Sequence, residues 1–284
     1  MGEFFLSPRN DYVFSRLLGE ESSKRAIAGF LSSLLETEIK KVLFLNGIDP
    51  YLDQDFETVK LGAVDAKVTT ESGEIIYVEV RISSTPHLPQ QLMCYGAELI
   101  VNQIEQWGET FDTLKKSIFI VITDYICIEN YPKYKSHYIL GDPIHKVTLT
   151  DKTETYVLEL PKVPIESDGA PLWSWLKFFD ARSLEDLDKV SQLDPVINKT
   201  QAKLLNLSAD ERAIAIAKSR DCHLRDQRSF RFKGHEDGEK VGIETGKEQA
   251  TMEMAEKLLK RGDSVDSVLA LTGLESSKIE HLIK

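Results

Sequence analysis

The chain has 284 residues, enough for one large domain with an appendage, and its 42% apolar content supports a sizeable core. A formal net charge of −11 argues against broad electrostatic attachment to nucleic acid, and without an apolar run of about 18 residues there is no membrane span. Cys94, Cys127 and Cys222 are scattered without CxxC spacing, which suggests a reducing cytosol and no zinc ribbon. The opening MGEFFLSPRN lacks a basic stretch followed by a long apolar one, and Leu6 breaks the myristoylation pattern, so a cytoplasmic protein is expected.

The spacing of Tyr12, Val13, Phe14, Leu17 and Leu18 predicts a first helix over Ser7 to Gly19, capped by Ser7 or Asn10. Asp11 in its first turn favours the helix dipole. Ile27, Phe30, Leu31, Leu34 and Leu35 predict a second helix from about Ser22 to Glu36, capped by Ser22 or Ser23. Val42 to Leu45 reads as a short strand. Asn46 to Val59 reads as a loop whose acids, Asp49, Asp53, Asp55 and Glu57, are solvated.

Leu61 to Ile82 carries two β-rich runs around the polar break Thr70–Glu74, the pattern of a hairpin. With period two, Asp65 and Lys67 share a face of the first run, and Tyr77, Glu79 and Arg81 share a face of the second. A loop centred near Ser72 sets Asp65 across from Glu79 and Lys67 across from Tyr77. Opposed carboxylates repel, so a sheet gains nothing from them without a third party. A hard divalent cation held by oxygen ligands is the simplest one. The plainer reading is that both acids sit on the solvated face of an exposed hairpin.

Breaks at Thr85-Pro86 and Pro89 precede a helix from about Pro89 to Gln106, with Gln91 in its first turn. Ile118 to Ile122 is nearly continuous β-branched sequence, expected for a strand buried on both faces. Tyr138 to Leu140 and Thr155 to Leu160 supply further strands, and the alternation implies a mixed α/β sheet with helices on both sides. His137 and His145 read as surface or packing residues. Beyond Pro164 the chain turns helical. Trp173, Trp175, Leu176, Phe178 and Phe179 form an aromatic stripe, suited to the core or to stacking on bases.

Ser208-Ala209-Asp210-Glu211 reads as a capping box opening a helix to about Phe230. Its later part, with Arg220, Arg225, Arg228, Arg231 and Lys233, is the most basic stretch, a phosphate contact or a solvated face. Gly234, Gly238, Gly242 and Gly246 recur every four residues. On a helix they form a slowly drifting ridge open to close approach by a partner helix, and a second subunit is the simplest supplier. A flexible linker is the alternative. Leu259 to Ile283 reads as two short helices with a turn at Thr272-Gly273, an αα-hairpin.

Asp65-x-Lys67 followed by Glu79-Val80-Arg81 resembles the PD-(D/E)XK nuclease family transposases, also called the Rpn recombination-promoting nucleases. Asn10-Asp11-Tyr12-Val13-Phe14 resembles the family's opening helix, His87 through Tyr95 its helix after the acidic strand, and Ser117 to Tyr125 its next core strand. The glycine-rich tail and Leu271-Thr272-Gly273-Leu274 look like its usual ending. The resemblance implies a restriction-endonuclease-like α/β fold with a C-terminal helical extension. It divides the chain into a core over 1–165, a helical extension over 166–233 and an oligomerising tail over 234–284.

The resemblance also implies a metal-dependent endonuclease acting on DNA, with RNA as a further possibility, in recombination, mobile-element or defence biology. Asp65, Glu79 and the Val80 carbonyl would hold Mg²⁺ or Mn²⁺. Lys67, Arg81 and Gln91 would serve the phosphate and the water, and Asp11 would approach from the side. This chain departs from the family in two places: Glu-x-Arg stands where Glu-x-Gln is usual, and Gln91 stands where Arg is usual. Either the two residues have changed places and still meet, or the site is impaired and the protein acts as an oligomeric nucleic-acid-binding or interaction module. The homo-oligomer is expected through the glycine-repeat helix. No GxxxxGK[ST] loop gives a reason to invoke ATP.

Overall fold

A computed structural model describes residues 4–47, 66–81, 87–107 and 111–279. Leu61 to Asp65, the loop acids from Asp49 to Glu57, and the breaks at Thr85-Pro86 and Gly108 lie outside the described residues.

The strand Ser117–Thr123 (β4) is buried along its whole length, as its β-branched run requires. Ile75–Arg81 (β3) and Thr153–Glu159 (β8) flank it in parallel, with Glu79 opposite Val121 and Val121 opposite Val157. Outside β3 lies Ala66–Thr70 (β2), and beyond that Val42–Gly47 (β1), both antiparallel to their neighbours. Outside β8 lies the antiparallel edge strand Lys135–Ile139 (β5). The order β1-β2-β3-β4-β8-β5 makes one mixed six-stranded sheet, as the alternation of elements implied. Gly141–Asp142 (β6) and Val147–Thr148 (β7) pair as a small hairpin beyond β5.

Each face of the sheet has its own cover. Ile76, Val78, Ile118, Ile120 and Ile122 form one core with the helices Asp11–Phe14 (α1), Lys24–Leu35 (α2) and Pro171–Asp180 (α4). The tryptophan-phenylalanine stripe belongs to this core. Trp175 is fully buried, its ring meets Phe30 edge-on at 6.0 Å, and Phe179 lies 5.3 Å from Phe30. Such pairs add about 0.5–1.5 kcal/mol beyond burial, and they leave these rings no face for a base. On the opposite side the long helix Leu88–Trp107 (α3) covers Val121 and Val157 with Leu88 and Leu92.

Several helix boundaries differ from expectation. The first helix becomes a π-helical turn over Ser15–Gly19 after four α-helical residues. The second begins with a 3₁₀ turn over Glu21–Ser23, and Ser23 makes no capping bond because its hydroxyl receives Lys203 Nζ at 2.7 Å. Ser208 opens no helix. It ends Pro195–Ser208 (α6), which follows Leu184–Ser191 (α5), and its hydroxyl accepts the Leu6 N–H at 2.9 Å. Asp210 is the cap instead, receiving the N–H groups of Arg212 and Ala213. The helix it opens, Glu211–Arg261 (α7), runs far past Phe230, straight through the glycine repeat.

The chain divides into two compact units, 1–224 and 225–284. In the second, the end of α7 and Val265–Thr272 (α8) bury Ala255, Leu258 and Val268, followed by Ser276–Ile279 (α9). The expected turn is present: Gly273 ends α8 with φ +68°, a left-handed conformation that glycine adopts without strain. At Gly234, Gly238, Gly242 and Gly246 an added Cβ would meet nothing within 4 Å, so the ridge faces open space.

Asn10 closes the first unit. Only 1% exposed, it caps α1 by accepting the Val13 N–H at 3.3 Å, and its amide donates to the Ala217 carbonyl at 3.1 Å and to Asp221 Oδ1 at 2.9 Å on α7. Asn10→Ala removes a cap and leaves buried acceptors short of a donor, a loss of about 2–3 kcal/mol. Urea denaturation should show that loss as a lower midpoint with an unchanged slope. Asn10→Asp keeps the cap acceptor for the Val13 N–H but loses the donor and sets a second carboxylate against Asp221, so it should recover only the capping part.

Candidate functional site

Glu79 is the one strongly buried carboxylate on β3, at 7% exposure. It lies two residues before the strand ends, on the face that also carries Ile75, Tyr77 and, across the ladder, Phe119 and Val121. A carboxylate in such surroundings is stable only where a cation or hydrogen-bond donors answer it.

The hairpin register agrees with the reading from the loop. Lys67 pairs with Tyr77 and Ala66 with Val78, around a turn in which Gly73 takes φ +88°. Thr70 closes that turn through its hydroxyl, which receives the Glu74 N–H at 3.2 Å. Lys67 Nζ stands 5.7 Å from the centre of the Tyr77 ring, a cation–π placement. Tyr77 in turn stacks on Phe119 with ring centres 5.2 Å apart, and burial pushes its phenol up to about 12. Asp65, covalently joined to Ala66, lies outside the described residues.

α3 begins where β3 leaves the sheet. His87, with φ +69°, makes the turn, and its carbonyl accepts the Gln91 N–H at 3.0 Å. Leu88 and Leu92 pack on Val121, the ladder partner of Glu79, and Gln91 lies between them in the first turn of α3. Val80 and Arg81 are backbone members of β3, paired with Ile122 and Thr123.

Asp11 comes from the first turn of α1. α1 packs on the other face of the sheet, in the core of Ile76 and Val78, and Asp11 faces Arg220 of α7 at 3.9 Å. Its neighbour Arg9 reaches Asp180 at 3.5 Å and Asp124 at 4.0 Å, just past the end of β4. The start of α1 therefore stands near the C-terminal edge of the sheet, the edge toward which Glu79 and Arg81 lead.

A buried ion pair at this edge had no signal in the sequence beyond its i,i+3 spacing. Glu159, fully buried at the end of β8, receives Lys162 Nζ at 2.6 Å on one oxygen and the N–H groups of Cys127 and Ile128 on the other, at 2.7 and 3.1 Å. Lys162 Nζ also donates to the carbonyls of Ile128 and Tyr131. Charge and desolvation offset each other here, and the result is a loop after β4 held firmly against the strand ends. In the ladder, Glu159 stands level with Thr123, and Thr123 with Arg81.

Among the described residues no three His, Cys, Asp or Glu side chains group closely enough to hold a metal ion, and no helix is long and apolar enough to cross a membrane. Two of the described histidines, His137 and His145, make packing and surface contacts. His137 stacks on Tyr156 at 4.3 Å, and His145 meets Asp142 at 2.6 Å.

Burial, followed by the negative charge of Glu159, pushes the Cys127 thiol up to about 11. Only the thiolate alkylates readily. Iodoacetamide at pH 8 should therefore modify exposed Cys94 and Cys222 well before Cys127, and Cys127 should catch up only as the pH approaches its raised value. Peptide mass mapping of a time course reads the order directly, and equal rates would mean that the Glu159 loop opens freely.

Compared with known proteins, the chain matches the family model described as PD-(D/E)XK nuclease family transposase over residues 8–231. No curated protein and no solved structure matches it.

Proposed function

The chain belongs to the PD-(D/E)XK nuclease family transposases, and from that premise we propose that it is a metal-dependent endonuclease hydrolysing DNA phosphodiesters. The observation that carries the proposal is Glu79, a buried carboxylate on a central strand, in a hairpin whose described register ends at Ala66, the residue after Asp65.

In this reading Asp65, Glu79 and the Val80 carbonyl hold the cation. The donor set is all oxygen, which suits hard Mg²⁺ or Mn²⁺. The carboxylate oxygens of Glu79 are of the hard type such an ion takes. When bound, a divalent ion lowers the pKa of its water and stabilises charge on the phosphate oxygens. The remaining work falls to the chain. Arg81, whose guanidinium stays protonated, cannot act as a base; it orients the scissile phosphate and stabilises the charge of the pentacovalent state. Lys67 adds positive charge from the neighbouring strand. Gln91, in the first turn of α3, orients the water or Arg81. Asp11 supports the site from the strand-end edge, where Arg220 holds it.

DNA is the proposed substrate, with RNA the alternative, and the setting is recombination, mobile-element movement or defence in the cytoplasm. The glycine ridge of α7 is proposed to bring copies of the chain together as a homo-oligomer, with 1–165 as the nuclease core, 166–233 as its helical extension and 234–284 as the associating tail. A second reading follows from Arg81 standing where the family carries Gln: an impaired member acting as a nucleic-acid-binding or interaction module.

Nicking of supercoiled plasmid with Mg²⁺ or Mn²⁺ tests the proposal. Asp65→Ala and Glu79→Ala should each lower the rate by about 10²-fold or more. Glu79→Gln, which keeps the side-chain shape, should lose the activity while keeping the fold. Nicking that survives all three substitutions would remove the hairpin from the mechanism, and no cleavage of DNA or RNA by the wild type would favour the second reading.

The exchanged pair makes a separate prediction. Arg81→Gln and Gln91→Arg should each cost about tenfold or more in rate, and the double variant should recover most of it, a coupling of about 1–3 kcal/mol. Additive losses would show that the two side chains do not act together.

A further inference from the structure

The edge of the sheet farthest from Glu79 carries an apolar surface that the nuclease reading does not use. β5 leads through Leu140 into β6, which belongs to a separate two-stranded ribbon, so residues 135–142 follow one edge with a break at Leu140. β8 and β7 occupy only one side of it, joined by the Leu149 N–H to Leu140 carbonyl bond at 2.9 Å. Among the described residues nothing pairs with the other side, which leaves about 26 Å of open ladder. Every residue from His137 to Leu149 is exposed. Tyr138, Ile139, Leu140, Ile144, Val147 and Leu149 lie within that stretch, Ile144 at 81% and Leu149 at 76% exposure.

Edge strands in soluble proteins are normally blunted by charge, proline or a bulge. Between Ser136 and Gly141 this one has no formal charge and no proline. Pro143 stands only beyond its end. Each of the six side chains offers on the order of 100 Å² of apolar area, divided between the two faces of the ribbon because Tyr138 and Leu140 alternate with Ile139. Edge pairing would bury the unpaired backbone and the parts of these side chains that flank the seam on each face, an interface at the small end of the standard class of roughly 800 Å² per partner.

We propose that this edge is a homodimer interface. A second copy of the chain adds its own 135–142 edge antiparallel across a two-fold axis, so that two six-stranded sheets join and the hairpin side chains close over the seam. An isologous pairing needs only this one patch, since the same surface serves both copies. Charge favours the same occupant. In a chain of net charge −11, residues 135–149 carry two lysines and one aspartate, so two copies meet here without the repulsion that opposes contact elsewhere. The interface is separate from the glycine ridge and independent of catalysis.

Sedimentation of the full-length protein from about 1 to 100 μM tests the proposal. The wild type should associate, and Ile139→Lys with Leu149→Lys should weaken that association by about 10- to 100-fold with an unchanged circular dichroism spectrum and melting temperature. Both positions are exposed, and a lysine at 139 faces Glu154 across the ladder, so the fold has no cause to fail. In the wild type, amides within 136–142 should exchange more slowly as concentration rises, which a change of monomer stability would not produce. Gly238→Glu with Gly242→Glu should leave this step intact.

A wild type that stays monomeric throughout overturns the proposal. So does a dimer that survives the hairpin substitutions but dissolves with the glycine ones. Loss of nucleic-acid binding with the dimer intact would reassign the hairpin to the substrate and overturn it as well.

Discussion

The double-sided burial of β4 is the constraint from which the rest follows. A strand with apolar residues on both faces needs a cover on each side and a partner on each edge. Parallel ladders to β3 and β8 provide the partners, and those ladders fix which residues stand level: Glu79 with Val121 and Val157, then Arg81 with Thr123 and Glu159. The candidate site is thus a consequence of register. A slip of one residue in β3 would turn Glu79 into the Ile76 and Val78 core and Val80 toward α3.

The two covers differ in kind. The α1–α2–α4 side is a large core of interlocking aromatics that carries most of the apolar burial. The α3 side holds smaller clusters, with the buried Glu79 level with Val121 of one of them. Polar groups can be tolerated on that side because stability is secured on the other. The same arrangement explains Glu159 and Lys162: a buried ion pair contributes little net energy, but it holds the loop after β4 in one place beside the strand ends.

Much of the fold was legible in residue pattern. The hairpin around Gly73, the doubly buried strand at Ile118 to Ile122, the helix after Pro89 and the turn at Gly273 all came from local rules of period and turn chemistry, and all are present. The helix ends were less legible. Ser208 and Ser23 have the composition of caps, yet long-range partners, Leu6 and Lys203, take their hydroxyls. A side chain 180 or more residues away in the chain leaves no local signature. The length of α7 was hidden for the opposite reason, because four exposed glycines weaken an isolated helix by roughly 1 kcal/mol each and read as a possible linker.

The sequence by itself determined the two-carboxylate hairpin pattern, the identities of Arg81 and Gln91 beside it, and the family motifs, because period two and fixed spacing are properties of the chain alone. Only the tertiary structure decided that Glu79 is buried, that Asp11 faces Arg220 on α7, and that Glu159 and Lys162 clamp the strand-end loop. It also decided that 135–142 is an edge. Each of these depends on which element packs against which, and burial and edge position are set by neighbours distant in sequence, so no local pattern records them.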